Sequence, residues 1–396
     1  MTNMQFRKIG IVGSGRMGES IFYHLNDFDY SLVWIFRKED LRDKAIAKFN
    51  KKLRRMHKTG ILSDNAYHTK KDDTLITVDM EDLRSCDLII ETIIEDAEMK
   101  SALFRKLDSI VNKDCVFTSN SSSIKPSLIC PDSDRRDKFA GIHFFYPVPF
   151  NTIVELTGAD GCSSETIESL KVFTRDIGKQ VLTLPEQGAF ILNKAFIYTQ
   201  AQAFRFRQEQ ILSFREIDAL IKEHIFAMGV FEFLDQVGLD VIVSAAKHYF
   251  EDMEHKDFIH VTIEETQKLV DKGYLGVKSG KGFYSYNKEE PGDEPQNLKP
   301  VSEVERKKYK EEVVNKLICI YINSAYDFVD KGYCTEDEIE TALDGYNGME
   351  KGPVALGRQV GFRKVYDLSM DFYKQTGEKV FYPSPSLKSR ADMGKE

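Results

Sequence analysis

A histidine and a glutamate twelve residues apart, His143 and Glu155, bracket the stretch GIHFFYPVPFNTIVE. An imidazole titrates near neutrality, and a carboxylate bonded to one of its nitrogens fixes the tautomer and stabilises the imidazolium, so these two residue types suit general acid–base chemistry. The same stretch has a plainer reading, because a single histidine beside Phe144 and Phe145 is also what a hydrogen-bonded core histidine looks like. The elements around the pair decide between the two.

The apolar run KIGIV, Lys8 to Val12, is followed by GSGRMG and then by the helical pattern ESIFYHLNDF. In this strand, turn and helix, Gly13 and Gly15 allow a tight turn and close backbone approach to a diphosphate. Gly18 lets helix and strand touch, and the helix N-terminus offers unpaired N–H groups. The reading is a dinucleotide site. The next strand, Ser31 to Phe36, should end in an acid that binds the adenosine ribose, but Phe36 stands there, followed by Arg37 and Lys38. Two readings stay open: Arg37 binds the 2′-phosphate of NADP, or both cations are solvated loop charges.

Further on, KKLRRMHK, Lys51 to Lys58, is basic within an acidic chain, either as a solvated helix face or as an anion patch for a phosphate-rich carrier. DLIIET, Asp87 to Thr92, reads as a strand, and Glu95 to Val111 as an amphipathic helix with Leu103, Leu107 and Ile110 on one face. Val116 to Ser119 starts another strand that ends in TSNSSSI. Strands alternating with helices predict an α/β, doubly wound parallel sheet, which binds ligands at the carboxyl ends of its strands and so places Asn120 to Ser123 at that edge.

A chain of 396 residues is long enough for two or three domains, and 42% apolar with 30% charged residues is ordinary for a globular protein. The net charge of -8 argues against bulk attraction to nucleic acid or anionic lipid. No run approaches a membrane helix, and six scattered cysteines without CxxC spacing predict free thiols rather than a metal site or a disulfide framework. With no apolar signal segment before the first strand, the expected address is cytoplasmic.

In order, GSGRMG, IIETIIEDAEMK, TSNSSSI, GIHFFYPVPFNTIVELTG, the asparagine of GAFILNK and GVKSGKGFYSY span residues 8 to 286. With this set the chain resembles the L-3-hydroxyacyl-CoA dehydrogenase family, the 3-hydroxybutyryl-CoA dehydrogenases included. The resemblance implies an NAD- or NADP-dependent oxidoreductase acting on an acyl-CoA, with no nucleic acid or membrane partner. It puts His143 on the catalytic base, Glu155 on its carboxylate partner, and Ser122 and Asn193 on the groups that hold the substrate oxygens. Gly13, Gly15, Gly18, Glu95, Lys100 and Asn120 fall on the cofactor side, with Arg37 added if the cofactor is NADP. The basic run near Lys51 lies where the family contacts coenzyme A. Tyr146 stands where most members have asparagine, and Phe36 replaces the cofactor acid. The rivals are a relative acting on a carrier-protein thioester or free 3-hydroxy acid, and a non-catalytic dinucleotide binder.

From about Gly188 the pattern is wholly helical, as in the family's all-α C-terminal domain. EIDALIKEHIFAMGVFEFLDQVGLDVI from Glu216 is echoed by EIETALDGYNGMEKGPVALGRQVGFRKV from Glu338, with shared positions 122 to 123 residues apart. The expected organisation is a Rossmann-type domain at 1–187, a helical domain at 188–286, a linker at 287–312 and a second helical copy at 313–396. In that copy Asn323 does not fall where Asn193 does and receives no catalytic role. Two copies in one chain predict intramolecular pairing and a monomer, with a homodimer as the alternative.

Overall fold

Six short runs rich in branched apolar residues form parallel strands: β1 Lys8–Val12, β2 Ser31–Ile35, β3 Thr74–Thr77, β4 Leu88–Glu91, β5 Val116–Ser119 and β6 Phe139–Phe144. β7 Ile153–Gly158 runs antiparallel to β6, and β8 Gln180–Leu184 lies parallel to β7, giving the order β3-β2-β1-β4-β5-β6-β7-β8. The computed structural model describes residues 6–130, 135–286, 297–344 and 352–393, apart from the side chains of 247–249 and 251–252. The chain divides into two units, Met1–Ala189 and Phe190–Glu396.

Both faces of the sheet are covered, and the strand period of two sorts side chains between them. Ile9 and Ile11, Leu32, Trp34 and Phe36, and Leu88 and Ile90 join one buried cluster, whereas Val12, Val33, Ile35 and Ile89 join the other. The first cluster is closed by α1 Arg16–Leu25, α2 Glu39–Lys58 and α6 Ser164–Asp176. The second is closed by α4 Ala97–Asp108 and the short α5 Pro126–Ile129, while α3 Asp64–Asp72 has no buried residue. The chain leaves β1 toward β2 and β3, then returns to lay β4 on β1's other side, so the carboxyl ends of β1 and β4 form the switch point at which such sheets bind ligands.

The second unit is helical: α7 Ile191–Gln208, α8 Phe214–His224, α9 Val230–Val237, α10 Leu239–Asp252 and α11 Lys256–Val270, then α12 Glu303–Asp330, α13 Glu336–Asp344, α14 Pro353–Val360, α15 Phe362–Thr376 and α16 Pro385–Met393. Of the segment expected to act as a linker, residues 287–296 lie outside the described residues and 303–312 form the start of α12. α7 and α12 pack together. Tyr321 stacks on Phe196 with centroids 6.2 Å apart, Arg306 Nη2 sits 2.7 Å from Glu216 Oε1, and Arg205 Nη1 sits 3.1 Å from Glu378 Oε1.

The sequence echo has a structural counterpart. The Asp218 carboxylate accepts from the Phe231 and Glu232 N–H groups at 3.1 and 2.9 Å and caps α9, while Glu340 accepts from Val354 and Ala355 at 2.7 and 2.9 Å and caps α14. Each acid sits so close to a backbone that only glycine fits, since a Cβ on Gly229 or Gly352 would lie 2.2 Å from it. Burial pushes the Asp218 carboxyl up to about 6 despite its three hydrogen bonds. Of the MG/KG portion of the echo, Gly229 and Gly352 are these two close-approach positions, while Lys351 and the rest of 345–351 lie outside the described residues. The copies also differ. Asp235 binds the Phe283 and Tyr284 N–H groups at 2.9 and 3.0 Å, but Arg358 follows α14's first turn where an equivalent acid would be, and Asn323 instead holds the C-terminal stretch through Val380 O, Tyr382 O and Ser384 N.

Candidate active site

The glycine loop divides its work between packing and opening. Gly13 has φ +133°, and a Cβ there would lie 2.4 Å from Thr92, while one on Gly18 would lie 2.2 Å from the Gly13 carbonyl. Gly15 meets nothing within 4 Å and is the N-cap of α1, with no side chain capping the first-turn amides. Backbone N–H groups facing an open approach suit a diphosphate. Beneath the loop Trp34 donates its indole N–H to the Gly13 carbonyl at 2.8 Å and stacks on Phe22 at 4.4 Å. Phe36 turns inward at 4% exposure, its ring 4.5 Å from Trp34, and Arg37 is exposed.

At the carboxyl end of β4, Glu91 and Lys100 form a fully buried ion pair, Nζ to Oε1 2.7 Å, which Ser119 Oγ joins by donating to Glu91 Oε2 at 2.5 Å. Lys100 is 1% exposed, so it stands behind Glu95, 3.4 Å from its Oε2. Glu95 gathers the serine loop after β5: its Oε1 accepts from Ser121 Oγ, Ser122 N and Ser123 N at 2.5, 3.1 and 3.0 Å. Burial works against ionising Glu95, but Lys100 and these hydrogen bonds outweigh it and hold the carboxyl below the usual range. Asn120 Oδ1 accepts from the Phe144 N–H at 2.9 Å, tying the serine loop to the strand that carries His143.

His143 and Glu155 are direct partners across β6 and β7, with Nδ1 2.8 Å from Oε2, and they are 6% and 1% exposed. Against a carboxylate, Nδ1–H donates. The Phe145 ring lies 4.3 Å from the imidazole, centroid to centroid. The following loop is pinned by side chains that its own sequence does not announce. Lys179 Nζ donates to Val148 O and Asn151 O at 2.6 and 2.8 Å, and Ser20 Oγ accepts from Val148 N at 3.0 Å. Lys179 is buried, which lowers its pKa. The first unit thus gathers His143, Glu155, Asn120, Ser122, Glu95, Lys100 and the glycine loop along one sheet edge. Asn193 belongs to the other unit, half-buried in the first turn of α7.

A glycine loop at the switch point of a parallel sheet, with a buried acid–histidine pair farther along the same edge, defines a dinucleotide-dependent dehydrogenase. Comparison with known proteins then fixes the family. The model of the 3-hydroxyacyl-CoA dehydrogenase NAD binding domain matches residues 8–187, and that of the family's C-terminal domain matches 189–286 and 313–396. The chain belongs to the 3-hydroxyacyl-CoA dehydrogenase family. It is 30% identical over 287 residues to the mitochondrial hydroxyacyl-coenzyme A dehydrogenase of Homo sapiens, covering 71% of this chain and 91% of that one. To a 3-hydroxybutyryl-CoA dehydrogenase of Bradyrhizobium diazoefficiens it is 29% identical over 289 residues, covering 72% and 97%. The crystal structure of 3-hydroxybutyryl-CoA dehydrogenase from Escherichia coli K12 shares the fold over 99% of this chain and 100% of that one, with TM-score 0.85 at 23% identity. Among the described residues there is no metal-holding cluster and no helix long and apolar enough to cross a membrane, and none of the six cysteines is in a disulfide.

Proposed function

We propose that this chain interconverts a 3-hydroxyacyl-CoA and its 3-oxoacyl-CoA, with His143 as the base that takes the hydroxyl proton and, in reverse, the acid that returns it. The observation that carries the assignment is the 2.8 Å contact between His143 Nδ1 and Glu155 Oε2. With Nδ1–H committed to the carboxylate, proton exchange falls to Nε2, and Glu155 stabilises the imidazolium that results. A bound nicotinamide supplies the acceptor for the hydride that leaves the substrate carbon. Ser122 and Asn193 donate hydrogen bonds to substrate oxygens, Glu95 and the loop of Gly13, Gly15 and Gly18 hold the cofactor, Asn120 fixes the edge between them, and Lys100 acts on the cofactor side through Glu95.

The exposed basic stretch of α2 supports coenzyme A over a free hydroxy acid, since a carrier rich in phosphate needs local positive charge on a chain of net charge -8. The α7–α12 contacts support a monomer in which the segment 313–396 serves as the helical partner of 188–286, and six cysteines outside any disulfide support a cytoplasmic address. The test is the fall in reduced-nicotinamide absorbance with acetoacetyl-CoA, run beside the same acyl group on a carrier protein and free in solution. Turnover confined to the free acid or the carrier protein overturns the coenzyme A reading, and dinucleotide binding without turnover of any of the three overturns the enzyme reading.

A further inference from the structure

We propose that the dinucleotide bound here carries a 2′-phosphate on its adenosine ribose, so that the chain takes NADP(H), and that Arg37 and Lys38 select it. The inference rests on the dinucleotide reading of the glycine loop and adds the chemical class of the cofactor. β1 and β2 are paired up to Val12 and Ile35, and the Gly13 N–H reaches the Ile35 carbonyl at 3.4 Å. The residues after Ile35 therefore run beside the glycine loop at about one strand spacing, ~4.8 Å. In this fold the adenosine ribose lies by the end of that second strand, where an acid takes the 2′-hydroxyl and repels a 2′-phosphate.

This chain has no acid at that point. Phe36 turns its ring into the core against Trp34 and is 4% exposed. Arg37 and Lys38 follow as exposed residues in the connection to α2, which begins at Glu39. The nearby carboxylates are largely engaged. Asp40 faces Lys44 at 4.0 Å, Asp43 bridges to Arg42 at 2.9 Å, and Glu81 pairs with Arg84, while Asp79 receives the Glu81 N–H at 2.9 Å. Glu39 remains as one exposed acid in the first turn of α2, against two adjacent cations. A guanidinium fork meets phosphate oxygens bidentately, which a solvated surface charge does not require.

Calorimetric titration of the full chain with NADP+ and with NAD+ separates the possibilities without relying on turnover. The expected result is NADP+ binding tighter by roughly tenfold or more, the worth of one bidentate charged contact. Arg37→Ala should abolish the difference while leaving NAD+ affinity unchanged, and Phe36→Asp should reverse the preference. NAD+ binding as tightly as NADP+ to the parent protein overturns the 2′-phosphate assignment and leaves the glycine-loop reading standing. Failure of both dinucleotides to bind overturns the two together.

Discussion

Glu155 faces His143 from the neighbouring antiparallel strand, and the register of β6 on β7 brings Oε2 to 2.8 Å from Nδ1. The ring is thus oriented by the sheet, not by a loop. His143→Gln should lower turnover by roughly two to four orders of magnitude with cofactor affinity unchanged. Glu155→Gln should lower turnover less, because an amide still bonds the ring but no longer stabilises the imidazolium. Steady-state kinetics with calorimetry decide both, and a fully active His143→Gln protein would remove the base assignment.

The Glu91–Lys100 pair is buried from all sides, so breaking one member strands a charge in a low-dielectric interior. Lys100→Met should cost about 3–5 kcal/mol of unfolding free energy. Adding Glu91→Gln should recover part of the loss. Urea denaturation of the parent and the two variants measures this, and a Lys100→Met protein as stable as the parent would show that the pair carries no such weight.

Glu95 supplies a pH dependence whose sign is fixed. Its folded pKa lies below the ordinary 4.5, so its contribution is fully present above that value and is lost as pH falls through the folded pKa. Thermal melts taken from neutral to acid pH should therefore fall more steeply for the parent than for Glu95→Gln in the window below 4.5. Parallel curves would contradict the linkage.

Lys179 reaches the loop after His143 from the far end of the sheet. Lys179→Met should leave cofactor affinity intact while lowering kcat by roughly ten- to a hundredfold, because the loop that borders the base loses its two carbonyl anchors. An unchanged kcat in a folded variant, checked by circular dichroism, would make the anchor purely structural.

How much of this the sequence displays varies with the range of the interaction. β1 and β5 stand where KIGIV and the run Val116 to Ser119 place them, because strand, turn and period are local signals. The helix expected from Glu95 starts at Ala97, since Asp96 caps it through the Met99 N–H and Glu95 is drawn off to the serine loop. β3, TLIT, is too short and too polar to announce itself, and β8 is half exposed. The His143–Glu155 pair was visible as residue types, but the partners of Lys100, Lys179 and Trp34 were not, because each lies on another element and its pairing is set by tertiary packing.

The α7–α12 contacts also bear on assembly. Light scattering at micromolar concentration should give a mass near 45.5 kDa, one chain, and removing residues 313–396 should expose the buried face around Phe196 and make the remainder insoluble or dimeric. A mass of twice that value for the intact chain, or a soluble, active, monomeric truncation, would contradict intramolecular pairing.

Trp34 is the one tryptophan in the sequence, and its indole N–H is bonded to the first glycine of the cofactor loop. The protein therefore carries an intrinsic optical reporter beneath that loop, undiluted by any second indole. Its emission should respond when a dinucleotide displaces water from the loop above, and a reduced nicotinamide, which absorbs where indole emits, should quench it by energy transfer. Stopped-flow fluorescence on the unlabelled chain can then time cofactor arrival and departure separately from chemistry.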